Sequence, residues 1–167
     1  MKLLVVEDEK HTAEAYKIAL EHNKHEVTLA STGEDALEKC QKETDATYHS
    51  PFDLIILDYK LPKMDGLEVA RRILEKNPDQ TIVFASAFVK ELLTEDIKNI
   101  TTNGERIEIL SKPFDISTLL NKIENHQISQ ELSEFRIKIN PEIIENNIEA
   151  LKEILTKLKT VESKYLK

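Results

Sequence analysis

Five short apolar runs alternate along the first 125 residues with segments whose apolar residues recur every three or four positions. The runs are residues 3–6 (LLVV), 25–29 (HEVTL), 53–57 (DLIIL), 81–85 (TIVFA) and 106–110 (RIEIL), and their β-branched and leucine content predicts strands. Between and after them, Ala15, Ile18 and Ala19; Ala36, Leu37 and Cys40; Leu67, Ala70, Ile73 and Leu74; Leu92, Leu93, Ile97 and Ile100; and Leu119, Leu120 and Ile123 fall on helical spacing. The result is five strand-then-helix repeats. The first, third and fourth strands are nearly continuous apolar runs, as expected when helices cover both faces of a parallel sheet, so the pattern predicts an open, doubly wound α/β fold.

Local signals set the boundaries. Ser31 with Glu34, and Asp65 with Glu68, have capping-box spacing, and Asp115 is placed to cap the fifth helix. Gly66, after Asp65, reads as a tight helix entry. Residues 44–51 and 101–105 read as loops.

Beyond the repeats, Asn140, Pro141 and Glu142 combine an N-cap, a first-turn proline and an early acid, predicting one helix running to about Leu166. Ile144, Ile148, Leu151, Leu155, Leu158 and Tyr165 form its seam, with Ile154 and Val161 widening it. That seam needs cover from the same helix of a second copy, from the chain's own surface together with residues 128–139, or from another protein. Residues 128–139 have mixed periodicity and fit either helix or strand. The expected organisation is a domain over 1–127 and a helical extension over 128–167, the latter serving dimerisation through 141–166 or partner binding.

Charge narrows the partners. Residues 1–127 carry 16 Lys/Arg against 24 Asp/Glu, whereas residues 128–167 carry seven of each. The acidity repels nucleic-acid phosphate, and the neutral extension has no helix-turn-helix pattern, so no nucleic-acid partner is expected. No apolar run reaches the roughly 18 residues that cross a bilayer, and four apolar residues between Lys2 and Glu7 are too few for a signal peptide. With a single cysteine, Cys40, the expected home is the reducing cytoplasm, away from membranes.

An open α/β sheet places its chemistry at the carboxyl ends of its strands. Glu7 and Asp8 follow the first predicted strand, Asp58 the third, Ser86 the fourth and Lys112 the fifth. Taken singly, the acids suit helix starts or turns, Ser86 suits a cap and Lys112 a solvated charge; their agreement at four strand ends favours one site. Carboxylates that converge repel one another unless a cation intervenes, and oxygen ligands select a hard ion such as Mg²⁺ or Mn²⁺. An aspartate carboxylate can attack phosphorus to give an acyl phosphate, and Asp58 is the candidate. Lys112 and the metal would balance charge on the transferred group, with Ser86 donating its hydroxyl.

The segments LLVVEDEK, LIILDYKLPKMDGLEVARRI, VFASA and LSKPFD, which carry these residues, resemble the response-regulator receiver family of two-component signalling over residues 1–125. The resemblance implies a flavodoxin-like five-stranded parallel sheet of order 2-1-3-4-5, with a helical extension added here. It implies Mg²⁺ bound by Asp8, Asp58 and the Lys60 backbone carbonyl, with Glu7 acting through water, phosphorylation of Asp58 by a histidine kinase or phosphotransfer protein, and Ser86 and Lys112 on the phosphoryl group. Pro113 looks like the family's cis-proline. Lys60 and Phe88 would flank the phosphoryl group and set its lifetime. The chain departs from the pattern at Ile109, where the family usually has an aromatic switch residue. The expected role is a switch that changes a protein interaction with an unidentified downstream protein, and not an enzyme with turnover. Two alternatives are a receiver-like binding module that is never phosphorylated and a haloacid-dehalogenase-type phosphatase; the latter needs an acid where Lys60 stands.

Overall fold

The computed structural model describes residues 1–42, 51–88 and 107–165. Five strands form one parallel sheet of order β2-β1-β3-β4-β5: β1 (Lys2–Val6), β2 (Glu26–Ala30), β3 (Leu54–Leu57), β4 (Thr81–Ser86) and β5 (Ile107–Ser111). All four strand pairings are parallel. Each strand lies within a residue of its predicted span. The order is the expected one.

Helices α1 (Lys10–His22), α2 (Gly33–Lys42) and α3 (Gly66–Lys76) follow the first three strands. The predicted fourth helix, with Leu92, Leu93, Ile97 and Ile100, lies outside the described residues, as do loop residues 44–50 and 101–105. Strands β1, β3 and β4 are buried along almost their whole length, apart from Lys2 at the edge of the run. Their side chains join those of α2 and α3 in one core that includes Leu4, Ile55, Leu57, Val69, Ile73 and Phe84. Burying such side chains contributes about 1.5–3 kcal/mol each, which is why strands without polar alternation settle at the centre of the sheet.

The caps are partly as predicted. Asp65 caps α3, its side chain accepting from the Glu68 N–H at 2.9 Å. At α2 the side-chain cap is Thr32 and not Ser31: the Thr32 hydroxyl accepts from the Asp35 N–H at 3.1 Å. Two adjacent hydroxyl residues compete there, and the one immediately before Gly33 wins. Helix α1 has a cap the pattern did not single out, Glu9, whose carboxylate accepts from the Thr12 N–H at 3.1 Å.

The chain divides into two compact units, Met1–Ile116 and Ser117–Lys167. In the second, α4 (Ile116–Glu134) runs through residues 128–134, so the first part of the 128–139 stretch is helix, while residues 135–139 form neither helix nor strand. The single helix expected from Pro141 is instead two, α5 (Pro141–Asn146) and α6 (Ile148–Tyr165). The break falls at Asn147, which caps the end of α5 through its N–H to Ile144 O and gives its side-chain amide to Ile143 O at 2.9 Å. An asparagine side chain that bonds to nearby backbone competes with helix continuation. The N-terminal cap is as expected, with Asn140 accepting from the Glu142 N–H at 2.9 Å.

The first part of the seam is covered from within the same chain. Ile144, Leu151 and Leu155 pack with Ile128 and Leu132 of α4, and Phe135, Ile137, Ile139 and Ile148 border the cluster. Lys152 meets Glu124 at 2.6 Å and Lys159 meets Glu131 at 2.9 Å. Both pairs advance by seven residues on each helix, so α4 and α6 run parallel and residues 135–147 are the return connection. Ile154 and Val161 remain largely exposed.

Candidate functional site

The strand ends bring five of the predicted residues to one edge of the sheet. Asp58 leaves β3 with its N–H on Val6 O at 2.9 Å, and Glu7 leaves β1 with its N–H on Ala30 O at 3.0 Å. Lys112 leaves β5 with its N–H on Ser86 O at 2.9 Å. Backbone bonds that continue each ladder by one residue therefore fix where these side chains begin.

The charged groups meet. The Lys112 ammonium donates to Glu7 Oε2 at 2.6 Å and to Asp58 Oδ2 at 2.7 Å. Glu7 is only 4% exposed, and each of Glu7, Asp8 and Asp58 offers a carboxylate oxygen within 4.8 Å of the others. Burial pushes the Glu7 carboxyl above the ordinary carboxylate range, against the opposing hydrogen bond and charge of Lys112. Burial also disfavours the Lys112 ammonium, but its hydrogen bonds to Asp58 and Glu7 outweigh that and hold its pKa above the usual lysine value.

Three carboxylates face one ammonium, so the cluster carries about two unbalanced negative charges when ionised. An all-oxygen donor set with that charge fits a small hard divalent cation. Asp8 is exposed and Asp58 partly so, which leaves the donor set open to solvent on the side where an ion would enter. Lys60 N–H donates to Asp58 Oδ1 at 3.1 Å, so the backbone turn carrying its carbonyl is folded against the carboxylate.

Ser86 is fully buried, and its hydroxyl accepts from the Phe88 N–H at 3.1 Å. The Lys60 ammonium lies 4.5 Å from the centroid of the Phe88 ring, and Tyr59 tilts against the same ring at 6.3 Å. The predicted flanking pair is thus in mutual contact. Ile109 packs at the margin of the sheet core, paired in register with Phe84. The Lys112–Pro113 bond is cis, as the family resemblance implied.

Gly66 contributes more than the sequence reading gave it. Its N–H donates to Tyr59 O at 2.6 Å, and a Cβ at this position would stand 2.2 Å from Asp58 O and 2.9 Å from Tyr59 Cα. Helix α3 can seat against the turn after Asp58 only because residue 66 has no side chain. The Asp-Gly pair was visible in the sequence; its contact with the Asp58 turn was not.

Comparison with known proteins decides the family. The family model described as "Response regulator receiver domain" matches residues 3–124. The chain belongs to the response regulator receiver family of two-component systems. The receiver is 34% identical over 128 residues to the response regulator receiver protein CpdR of Brucella abortus, covering 77% of this chain and 98% of CpdR. It is 34% identical over 123 residues to the transcriptional regulatory protein DltR of Streptococcus agalactiae, covering 74% of this chain but only 50% of DltR. Among solved structures, TrrA of Thermotoga maritima, in complex with Mg²⁺ and beryllium fluoride, has a TM-score of 0.61 and 30% identity, covering 75% of this chain and 97% of TrrA. A CheY-like receiver of Methanospirillum hungatei shares the fold at TM-score 0.67 and 24% identity, covering 79% of this chain and 97% of its own. Receivers bind Mg²⁺ at an acidic pocket, and this receiver has an acidic cluster of Glu7, Asp8 and Asp58 that could hold a metal ion. Among the described residues, no helix is long and apolar enough to cross a membrane.

Proposed function

We propose that this receiver is a phosphorylation switch whose acceptor is the Asp58 carboxylate and whose output is a changed protein interaction. The observation that carries this reading is the Lys112 ammonium bound to both Glu7 and Asp58 within a cluster of three carboxylates. Asp58 Oδ attacks phosphorus of a phosphohistidine or small phosphodonor; the new O–P bond forms as the donor's bond to phosphorus breaks, and the leaving group keeps the electron pair. Lys112 supplies positive charge to the phosphoryl oxygens, and Ser86 turns its hydroxyl from the Phe88 N–H towards them. Mg²⁺ held by Asp8, Asp58 and the Lys60 carbonyl, with Glu7 through water, would neutralise the incoming phosphate.

The Lys60–Phe88 contact lies beside the turn that carries Asp58, which places both side chains to influence the lifetime of the acyl phosphate. The phosphatase alternative has no support at position 60, where a general acid would be needed and an ammonium rests on an aromatic ring instead. The proposed donor is a histidine kinase or phosphotransfer protein, and the receiver of the signal is another protein. With Ile148, Leu151 and Leu155 of α6 packed in the cluster with α4, homodimerisation through 141–166 would have to use other residues, including the exposed Ile154 and Val161.

Two-dimensional amide NMR tests the reading. Beryllium fluoride with Mg²⁺ should shift amide resonances at residues 7–8, 58–60, 86–88, 111–112 and 114 together; Mg²⁺ alone should shift only those beside its carboxylate ligands, and beryllium fluoride alone none. Unchanged spectra, or steady turnover of small phosphate esters, would contradict it.

A further inference from the structure

The contacts described so far fix the Lys112 ammonium at its tip and the Lys112 backbone at the sheet. What holds the chain just after it is an aromatic pair. Phe114, two residues beyond Lys112, stacks on Tyr16 of α1 with ring centroids 5.7 Å apart and planes 17° from parallel. Helix α1 begins directly after Glu7 and Asp8 and is capped by Glu9. The stack therefore closes a loop of contacts: the acid pair leads into α1, α1 carries Tyr16, Tyr16 holds Phe114, and the Phe114 segment carries Lys112 back to Glu7.

We infer that Tyr16 is a positioning residue for phosphoryl binding, acting through the Phe114 ring to hold Lys112 where its ammonium reaches Asp58. A lysine side chain has four rotatable bonds and finds its target only if its backbone is fixed on both sides. On one side the Lys112 N–H is held by Ser86 O. On the other side the Tyr16–Phe114 stack supplies the restraint. The Tyr16 ring is half-buried in this stack, and burial raises the pKa of its phenol.

This inference rests on the phosphoacceptor reading, and titration calorimetry with two probes separates the two. The probes are Mg²⁺ alone, and beryllium fluoride in the presence of saturating Mg²⁺. In Tyr16→Leu, which keeps apolar bulk but loses the stack, beryllium fluoride affinity should fall by up to about tenfold, while Mg²⁺ affinity does not fall, because Lys112 competes with the metal for Glu7 and Asp58. Tyr16→Phe should restore tight beryllium fluoride binding, since the ring and not the hydroxyl makes the stack. Phe114→Leu should reproduce the Tyr16→Leu loss, and the double variant should lose no more than either alone. Beryllium fluoride binding unchanged in Tyr16→Leu, equal weakening of both probes, or failure of Tyr16→Phe to restore binding would overturn the inference. A wild-type protein that binds no beryllium fluoride would instead contradict the phosphoacceptor reading itself.

Discussion

The Lys112 ammonium donates to Glu7 Oε2 at 2.6 Å, joining the end of the last strand to the end of the first across 105 residues of sequence. Glu7 is almost fully buried, and among the described residues Lys112 is the only cation bonded to it. Removing the ammonium leaves a buried carboxylate beside Asp58 without compensation, which is more costly than never having built the pair.

Lys112→Met is accordingly expected to destabilise the protein by about 1–3 kcal/mol in metal-free buffer. Mg²⁺ should recover much of that loss, because a divalent cation replaces the missing charge. Thermal melting with and without Mg²⁺ checks this; a variant as stable as wild type in chelator would show that Glu7 does not depend on Lys112.

Gly66→Ala should damage the site through the backbone. An added Cβ would meet Asp58 O at 2.2 Å, far inside contact distance, so either α3 or the Asp58 turn must shift. Stability should fall by about 1–3 kcal/mol, and the phosphorylation rate by roughly tenfold to a hundredfold from the displaced carboxylate. Denaturant melts and phosphorylation kinetics measured on the same preparation test both parts.

Leu151→Ala opens a cavity in the cluster formed with Ile128, Leu132, Ile144 and Leu155. A loss of about 2–5 kcal/mol is expected for the extension. Circular dichroism should show helix content falling, and amide exchange should rise across 128–134 and 148–158.

The α4–α6 contact should also weaken in acid. Burial would raise the Glu131 pKa, but hydrogen bonds from Gln127 and Lys159 outweigh it and lower the pKa below 4.5. A lowered carboxylate pKa stabilises the folded form above the unfolded value, and that contribution is lost as pH falls through the folded value. Wild type should melt a few degrees above Glu131→Gln at neutral pH, and the gap should close below pH 4.5. A gap that persists in acid would contradict the assignment.

Much of this was legible in the sequence, and the physical reasons differ by region. Strands β1, β3 and β4 were readable because burial on both faces leaves an unbroken apolar run; the boundaries moved by a residue where a polar end residue such as Ser86 or Ser111 still bonds in the ladder. The convergence of Glu7, Asp58, Ser86 and Lys112 in the candidate site was readable because these residues sit at strand ends, where topology alone brings them together. The extension was read less well. Asn146 and Asn147 were a visible warning of a helix break, but the stronger periodicity on either side concealed it. The parallel pairing of α4 with α6, the Gly66 contact with Asp58 and the Tyr16–Phe114 stack join residues that no local pattern relates.

The most direct test of the central claim is intact mass after incubation with a small phosphodonor and Mg²⁺, comparing wild type with Asp58→Asn and a chelator control. The account predicts one phosphoryl group per wild-type chain, absent from Asp58→Asn and absent with chelator. A folded wild-type protein that gains no adduct, or an adduct that persists in Asp58→Asn, would contradict it.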